Sequence, residues 1–377
     1  MELVKHNKFQ RLFLPGMIFQ SMVIGGGYGT GAEMAQYFGV SGVMGGILTC
    51  VVVAVVWGVI SMVTYEFARV FRTYDYHSLT DALLGKGSIL YEITYLAASL
   101  MVLGVVIATS GNMFENMLHV NRWIGSFVLA ALICVFIISG TKVVEQVFAV
   151  WSYALYAVYI LFFIVVFMKF GSQISSNLGM MEVKHGWFTN GLIYSSYNLG
   201  IVAAALYSTA DCQSRKEAFG AGILTGVIAV LPALFLFLAL SAFYPDFLTL
   251  EVPVNLLFEK LNMPWLYVAF EVVLFGTLIE TGMGFIKAIT DRVEVSYQKK
   301  SSAVPKWIRP AVTIGFVVIG LLISKFGITS IILKGYGSLP YAYLITLIIP
   351  LFTIGIYKLV KHGPTPEPLP EGEVLKD

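Results

Sequence analysis

Hydrophobic residues along this chain come in long runs that are separated by short polar connections. A helix needs about 20 mostly apolar residues to cross the hydrocarbon core of a bilayer. Ten segments meet this length: 12–37, 43–68, 89–117, 123–140, 143–169, 187–210, 218–243, 264–290, 307–324 and 338–360. None shows the alternation of apolar and polar positions that is typical of a membrane β-barrel. The pattern therefore predicts an all-α integral membrane protein with ten transmembrane helices.

Two of the connections between these segments are themselves apolar. Residues 247–261 and 328–334 are predicted to form short helices that lie at the outer membrane surface. The tail from residue 363 to residue 377 is different, because prolines alternate there with acidic residues. Such a composition cannot pack or form a helix. We therefore expect one transmembrane domain over 1–362 and a disordered cytoplasmic tail over 363–377.

The composition agrees with a chain that faces lipid. Hydrophobic residues make up 58% of the sequence and charged residues only 12%, whereas soluble domains carry about 25% charged residues. A net charge of +2 gives no electrostatic footprint for binding nucleic acid. The histidines and cysteines show no spacing typical of a metal or catalytic site. We expect no enzymatic activity and no cofactor.

The distribution of basic residues predicts the orientation of the chain. With the N-terminus inside, eighteen of the 24 Lys and Arg residues fall on the cytoplasmic side of the ten predicted helices. Cytoplasmic loops of membrane proteins carry such an excess of Lys and Arg. The sequence therefore predicts that both termini lie in the cytoplasm.

A glycine-rich run interrupts the first hydrophobic segment. Five of the seven residues from position 25 to position 31 are glycine, and each costs a helix about 1 kcal/mol relative to alanine. Packing through small residues would place glycines one turn apart rather than in a cluster. We interpret the run as a helix that is broken at mid-membrane and lines a polar cavity. The candidate substrate-binding residues here are Gly25, Gly26, Gly27, Tyr28 and Gly29.

The sixth segment carries a comparable interruption. The run from Tyr194 to Gly200 places five hydrogen-bonding side chains and a glycine near mid-membrane, and the candidate substrate-binding residues in it are Ser195, Ser196, Tyr197, Asn198 and Gly200. Alternatively, the serines bond back to their own helix and the tyrosines mark a membrane interface. Segments one and six begin two five-helix halves, at about 9–170 and 187–361. Interrupted helices at corresponding positions of two halves indicate a transporter's binding site.

Ionisable residues inside hydrophobic segments form a third group of candidates. Glu280 lies near the centre of the eighth segment, where a charge costs about 2.5–3.5 kcal/mol on a lone helix. Helical spacing puts it on one predicted face with Gly276, Gly284 and Lys287, and Thr277 and Thr281 flank this face. Thr277, Glu280 and Thr281 are the candidates for ion coupling.

Three further residues are weaker candidates for gating. Glu33 follows the glycine run, where an acid is favoured by the dipole of a starting helix, so it is either a structural cap or a functional residue. Tyr95 and Tyr207 are candidates because they are polar aromatics within hydrophobic segments. Glu271 is half a turn out of phase with Glu280, so we expect it in an outer vestibule or in a structural contact.

The run IGGGYGTGAEMAQYF, at 24–38, resembles the first-helix motif of the YkvI family of bacterial membrane proteins. The matching features are Gly31-Ala32-Glu33 and the aromatic pair Tyr37-Phe38. Tyr197-Asn198 and the run at 334–337 are similar too. That family in turn resembles the amino acid–polyamine–cation superfamily, which has the LeuT-type fold.

The resemblance implies two inverted repeats with substrate held between broken helices 1 and 6, at Gly25–Gly29 and Ser195–Gly200. It also implies an ion site between the break in helix 1 and Thr277, Glu280 and Thr281. Sodium-coupled relatives usually carry neighbouring hydroxyl residues on helix 8, but here a glutamate precedes a single threonine. Na⁺ and H⁺ both stay open as the coupling ion. The resemblance places the protein in a bacterial cytoplasmic membrane.

The sequence therefore predicts a secondary active transporter that works by alternating access. Its expected substrate is a small zwitterionic or amine solute, with an amino acid as the first candidate. The alternatives are a small-molecule receptor or sensor on the same fold, like spore-germination receptor subunits, and a passive channel. The expected partners are the solute and the lipid bilayer, with no nucleic acid, and the sequence identifies no protein partner.

Overall fold

A computed structural model describes residues 7–139, 141–298, 304–363 and 365 of the chain. Within this part the chain forms helices and no β-strand, as expected where lipid leaves backbone groups to be satisfied within each segment. Of the predicted disordered tail, all but Gly363 and Thr365 lies outside the described residues.

The α-helical segments of the described chain differ widely in length, from one turn to more than ten. They are α1 Lys8–Val23, α2 Gly26–Gly29, α3 Val43–Phe71, α4 Tyr76–Leu84, α5 Ser88–Leu118, α6 Arg122–Ser139, α7 Thr141–Gly179, α8 Trp187–Tyr197, α9 Val202–Ala205, α10 Arg215–Ser241, α11 Pro253–Leu261, α12 Pro264–Gln298, α13 Ile308–Ser324, α14 Ile328–Ser330, α15 Leu339–Tyr343 and α16 Ile356–His362.

Tighter or wider helical turns connect several of these segments. The 3₁₀ turns are Gly39–Ser41, Gly85–Gly87, Asn198–Ile201, Leu206–Thr209, Asp246–Thr249 and Tyr336–Ser338, and the π-helical turns are Met34–Phe38, Ile331–Gly335, Leu344–Ile348 and Leu351–Gly355. The chain from residue 328 to residue 362 is therefore one helix of mixed type.

In the part of the chain that the structure describes, six helices are long and apolar enough to cross a membrane: Val43–Phe71, Tyr76–Leu118, Tyr153–Gly179, Arg215–Ser241, Pro264–Glu294 and Ile328–His362. Two shorter apolar helices are Arg122–Ile138 and Ile308–Ser324. The chain is thus a multi-pass membrane protein. The first and sixth predicted segments do not form single long helices because each is interrupted. The count of ten and the inverted repeats stay predictions.

The two predicted surface helices have different outcomes. Helix α11 and the 3₁₀ turn before it confirm a short helical segment at 247–261. The prediction of a separate helix at 328–334 is wrong, because a π-helical turn carries that segment directly into the last long helix. Helix α4 was not expected from the sequence. It begins where the side chain of Asp75 accepts hydrogen bonds from the backbone amides of His77 and Ser78, both at 2.9 Å. Asp at an N-cap is a known helix start.

The closest helix packing joins α3 and α10. A Cβ atom on Gly226 would collide with the backbone of α3 at Ala54 and Gly58, and one on Gly222 would collide with Met62. Small residues allow membrane helices to approach at backbone distance. Glycines on α10 therefore set the spacing of this pair.

Ion pairs join helix ends on the predicted cytoplasmic side. Arg11 of α1 reaches Glu217 of α10 at 3.2 Å, and Arg292 of α12 donates to Glu92 of α5 at 2.8 Å. Arg69 forms two 2.8 Å hydrogen bonds with Glu66 of the same helix. Each pair supplies a buried or half-buried carboxylate with a cation, which lowers the cost of removing it from water.

We predict that Gly226→Ala destabilises the protein because its new methyl group meets backbone rather than a movable side chain. The expected cost is about 1–3 kcal/mol. Gly171→Ala is the matched control, because no atom lies within 4 Å of that Cβ position. Thermal unfolding in detergent should show a lowered midpoint for Gly226→Ala only. Equal midpoints for the two variants would contradict close packing at Gly226.

Candidate functional site

Helix 1 is interrupted twice rather than once. Helix α1 ends at Val23, and Gly25 has extended backbone angles of φ −113° and ψ −164°. A single helical turn, Gly26–Gly29, follows, and the chain breaks again at Gly31, which has a φ of 79°. The predicted break is therefore observed at the predicted residues, and it takes the form of one isolated turn between two kinks.

Two glycines let this isolated turn approach its neighbours. A Cβ atom on Gly26 would lie 2.6 Å from the Thr109 hydroxyl of α5, and one on Gly27 would lie 2.6 Å from Oε1 of Glu33. The Thr30 hydroxyl donates to the Gly26 carbonyl at 2.8 Å and so closes the turn. The turn thus contacts α5 on one side and the Glu33 carboxylate on another.

The Glu33 side chain caps no helix, so the interpretation of this residue as a structural cap is wrong. Its backbone is already helical, with φ −65° and ψ −34°, and the chain runs on into the π-helical turn Met34–Phe38. Side chains on a helix tilt toward its N-terminus, which brings the carboxylate back over Gly27. Only 6% of the residue is exposed.

Four tyrosines surround the Glu33 carboxylate, and we call this group the tyrosine cage: Tyr37, Tyr194, Tyr197 and Tyr336. Ring centroids are 5.6 Å apart for Tyr37 and Tyr194, 5.6 Å for Tyr37 and Tyr197, and 4.7 Å for Tyr197 and Tyr336. Each tyrosine interacts electrostatically with Glu33. The buried hydroxyls of Tyr194 and Tyr197 interact with the Glu33 carboxylate by hydrogen bonding.

The tyrosine cage draws on three distant parts of the chain. Tyr37 lies four residues after Glu33 in the π-helical turn, while Tyr194 and Tyr197 lie one turn apart on α8. Tyr336 follows the π-helical turn near the start of the last long helix. π-Helical turns occur frequently at functional sites.

The arrangement can hold a positive charge. Across the described chain, the Glu33 carboxylate has no cationic partner, and its hydrogen-bonding neighbours are the hydroxyls of Tyr194 and Tyr197. Burying an ionised carboxylate without a partner costs several kcal/mol, so the group requires a proton or a cation. Aromatic ring faces attract cations, and ammonium ligands are often held in aromatic cages. Glu33 and its tyrosines therefore suit a bound ammonium group.

Helix 6 is tightened rather than unwound at the predicted position. Helix α8 ends at Tyr197, and a 3₁₀ turn over Asn198–Ile201 leads into α9. The Ser195 hydroxyl donates to the Leu192 carbonyl at 3.1 Å, and the Asn198 amide donates to the Tyr194 carbonyl at 3.0 Å. These two side chains bond to their own helix, which was the alternative interpretation, while the predicted interruption of the α-helix takes the form of a 3₁₀ turn.

Of the other predicted substrate-binding residues, some lie near Glu33 and others only allow close packing of helices. Tyr197 faces Glu33, and Tyr28 is fully buried with an unpartnered hydroxyl that interacts with Tyr159 and Glu33. Gly200 instead provides close packing, because a Cβ there would collide with the Tyr343 hydroxyl. Ser196 is half-buried, and its role stays a prediction.

The three predicted ion-coupling residues do not face one point. Thr281 lies against the first break, with its methyl group 3.6 Å from the Cβ position of Gly25, and its buried hydroxyl has no partner. The Thr277 hydroxyl donates to the Val273 carbonyl at 3.0 Å. Glu280 is half-buried beside Tyr156 of α7, which donates to Gln20 at 2.9 Å.

The predicted face of α12 is therefore divided between two neighbours. Gly276, one turn before Glu280, meets Trp151 of α7, whereas Gly284 approaches Met22 of α1. Thr281 is the member of the predicted set that contacts the break itself. Glu280 lies on the side of α12 that faces α7.

The two aromatic gating candidates lie away from the tyrosine cage. Tyr95 stacks on Tyr76 at 5.1 Å and packs near Tyr91, which meets Tyr343 at 5.9 Å. These four tyrosines form a second cluster. It packs against the 3₁₀ turn of helix 6, because Tyr343 also contacts Gly200. Tyr207 is half-exposed on the 3₁₀ turn Leu206–Thr209.

Three members of the tyrosine cage, Tyr37, Tyr194 and Tyr336, were not predicted as site residues from the sequence. Local signals existed for two of them. Tyr37 lies four residues after Glu33, and Tyr194 lies three residues before Tyr197, so each pair shares a helix face. No local pattern relates Tyr336 to Glu33, because about 300 residues separate them.

We predict that Glu33→Gln raises the thermal stability of the ligand-free protein. The substitution removes an unpaired buried charge, and functional sites often reduce stability in this way. Glu66→Gln is the matched control, because removing one partner of a buried pair costs about 3–5 kcal/mol. The unfolding midpoint in detergent should rise for Glu33→Gln and fall for Glu66→Gln. A lowered midpoint for Glu33→Gln would mean that its carboxylate is structurally paired.

Comparison with known proteins gives one relative by sequence. No protein-family model matches the chain. The chain is 24% identical over 348 residues to the uncharacterized membrane protein YkvI of Bacillus subtilis strain 168, and the match covers 89% of this chain and 90% of that protein. The relative is thus a membrane protein of similar length.

Two solved structures are similar over most of the chain. A Na⁺-coupled sialic acid symporter in a substrate-bound outward-open state has a TM-score of 0.64, at 13% identity, over 92% of this chain and 78% of that chain. A manganese transporter of Eremococcus coleocola has a TM-score of 0.57, at 14% identity, over 93% and 81%. At this identity the likeness concerns the fold, which the chain shares with known transporters.

Proposed function

We propose that the protein is a secondary active transporter of a small solute that carries a protonated amino group, such as an amino acid or an amine. Na⁺ or H⁺ would drive the transport by alternating access. The observation that carries this proposal is the unpaired Glu33 carboxylate inside the tyrosine cage, next to the isolated turn Gly26–Gly29. The transporter fold of the structural neighbours supports it.

The chemistry of the cage favours an ammonium group over an anion. One carboxylate supplies a full negative charge, and the ring faces of the tyrosines add attraction for a cation. An anionic group at the same place would be repelled by Glu33. The buried hydroxyls of Tyr194 and Tyr197, which lie beside Glu33, could hydrogen-bond to polar groups of the solute.

The architecture proposed for transport is that of ten transmembrane helices in two inverted repeats, about 9–170 and 187–361. We propose a multi-pass protein of the bacterial cytoplasmic membrane with both termini in the cytoplasm, based on the excess of Lys and Arg. The solute would lie between the broken helix 1 and helix 6. Sites at such interrupted helices are common in transporters of this architecture.

We expect Glu33 and Gly27 to be required for uptake. Purified protein in liposomes would be given radiolabelled amino acids and amines, with an inward gradient of Na⁺ or H⁺. Glu33→Gln removes the charge that holds the ammonium group, and Gly27→Ala puts a methyl group where the carboxylate lies. Either change should lower uptake at least about tenfold, the effect of losing roughly 1.4 kcal/mol.

Gly171→Ala is the control for Gly27→Ala, because no atom lies within 4 Å of its Cβ position and the residue is outside the candidate site. This variant should keep most of the wild-type uptake. Unchanged affinity in Gly27→Ala would place the solute elsewhere. Binding of an amine without gradient-driven accumulation would instead favour a receptor or sensor on this fold.

The coupling ion is tested with Glu280→Gln, which mimics the protonated acid. If Glu280 carries the driving proton, the variant should exchange solute across the membrane but lose pH-driven accumulation. If the residue coordinates Na⁺, the variant should lose sodium-dependent solute affinity. Thr281→Val is the comparison variant for Glu280→Gln, because it removes a hydroxyl at the break in helix 1 that has no partner among the described residues. Intact accumulation and ion dependence in Glu280→Gln would make Glu280 a structural residue.

A further inference from the structure

A small polar cavity lies on the predicted outer side of the isolated turn in helix 1. It is enclosed by residues of α5, α11 and α12 and by Gly29 and Thr30. The polar side chains that line it include Thr109 and Asn112 of α5, Asn255 of α11 and Glu271 of α12. Its volume is about 10 Å³, which is close to the minimum needed for a single water molecule.

Three oxygen atoms of the lining residues lack hydrogen-bond partners in the part of the chain that the structure describes. They are Oε2 of Glu271, Oγ1 of Thr109 and Oδ1 of Asn255. Glu271 is 3% exposed and Thr109 is fully buried. A buried polar atom without a partner costs about 1–3 kcal/mol, and a buried charge costs more. Such atoms around one cavity indicate a place where a small polar or charged ligand would be stabilised.

The chemistry of the three atoms suits a small cation. A carboxylate oxygen and an amide oxygen are acceptors, and a hydroxyl can also accept, so all three can coordinate a positive ion. The cavity is too small for an organic amine. Glu271 brings a single negative charge, whereas calcium sites use six to eight oxygen ligands that often include several carboxylates.

We propose that this cavity binds one monovalent cation of the size of Na⁺, through Glu271, Thr109 and Asn255. This site differs from the expected coupling site at Gly25 and Thr281. Glu271 precedes Thr281 by ten residues on α12, which corresponds to about 15 Å along a helix axis. The inference does not depend on transport, because it concerns ion binding to the resting protein.

A cation at this position would join four separate segments. Helix α11 is already attached to helix 1 where the Val254 amide donates to the Thr30 carbonyl at 3.1 Å. An ion held by α5, α11 and α12 would add charge-based bonds to this contact. The outer end of the bundle would therefore be more stable in the presence of the ion.

The test measures equilibrium binding of ²²Na⁺ to the purified protein in a choline chloride background, without solute or gradient. Glu271→Gln should lose about one bound Na⁺ per chain. Thr109→Val should weaken that site roughly tenfold, as expected when one ligand of about 1.4 kcal/mol is removed. Thr281→Val should keep the site, and so should Glu259→Gln, which removes an exposed carboxylate from α11.

A wild-type protein that binds no Na⁺ would overturn the proposal. Unchanged binding in both Glu271→Gln and Thr109→Val would also overturn it. If Glu271→Gln fails to fold, Thr109→Val alone decides, because it changes no charge and little volume. If the wild-type protein binds Na⁺ at Glu271 but does not take up solute, the proposed function is contradicted and the proposed cation site is not.

Discussion

The backbone groups that helix 1 releases at its two breaks must be satisfied inside the protein, because lipid offers no hydrogen-bond partners. The arrangement around the isolated turn follows from this constraint. Thr30 closes the turn, α5 contacts it at Gly26, and α12 covers it at Gly29 through Leu274. The contacts with α5 and α12 each need a glycine, since a Cβ atom on Gly26 or Gly29 would collide with the neighbour. The same interruption that would be costly in lipid thus leaves room for Glu33 to turn back over Gly27.

Buried carboxylates fall into two classes that the structure separates by depth. Glu66, Glu92 and Glu217 lie toward the predicted cytoplasmic side, and each has an arginine partner. Glu33 and Glu271 lie deeper or on the opposite side, and within the described residues neither has an ionic partner. Paired carboxylates hold helix ends together. The unpaired ones store unfavourable solvation energy that a bound cation or proton can release. This difference is why the second class carries our functional proposals.

Much of the fold could be predicted from local sequence, but only part of the site could. Runs of apolar residues located the long helices, and clustered glycines located the break in helix 1 because both signals act within a few residues. The character of helix 6 was missed, because a hydroxyl or amide can bond to its own helix as readily as to a ligand, as Ser195 and Asn198 do. The cage around Glu33 was missed because Tyr336 approaches only through tertiary packing.

The π-helical turn Met34–Phe38 has a consequence for comparing this chain with its relatives. A π-helical turn holds one residue more than the α-helical turn that it replaces. A relative that lacks this one residue would form an ordinary α-helical turn here, and the spacing between Glu33 and the position of Tyr37 would be one residue shorter. A single-residue gap at this point of an alignment would therefore distinguish relatives that retain the aromatic surroundings of the acid from relatives that share only the scaffold.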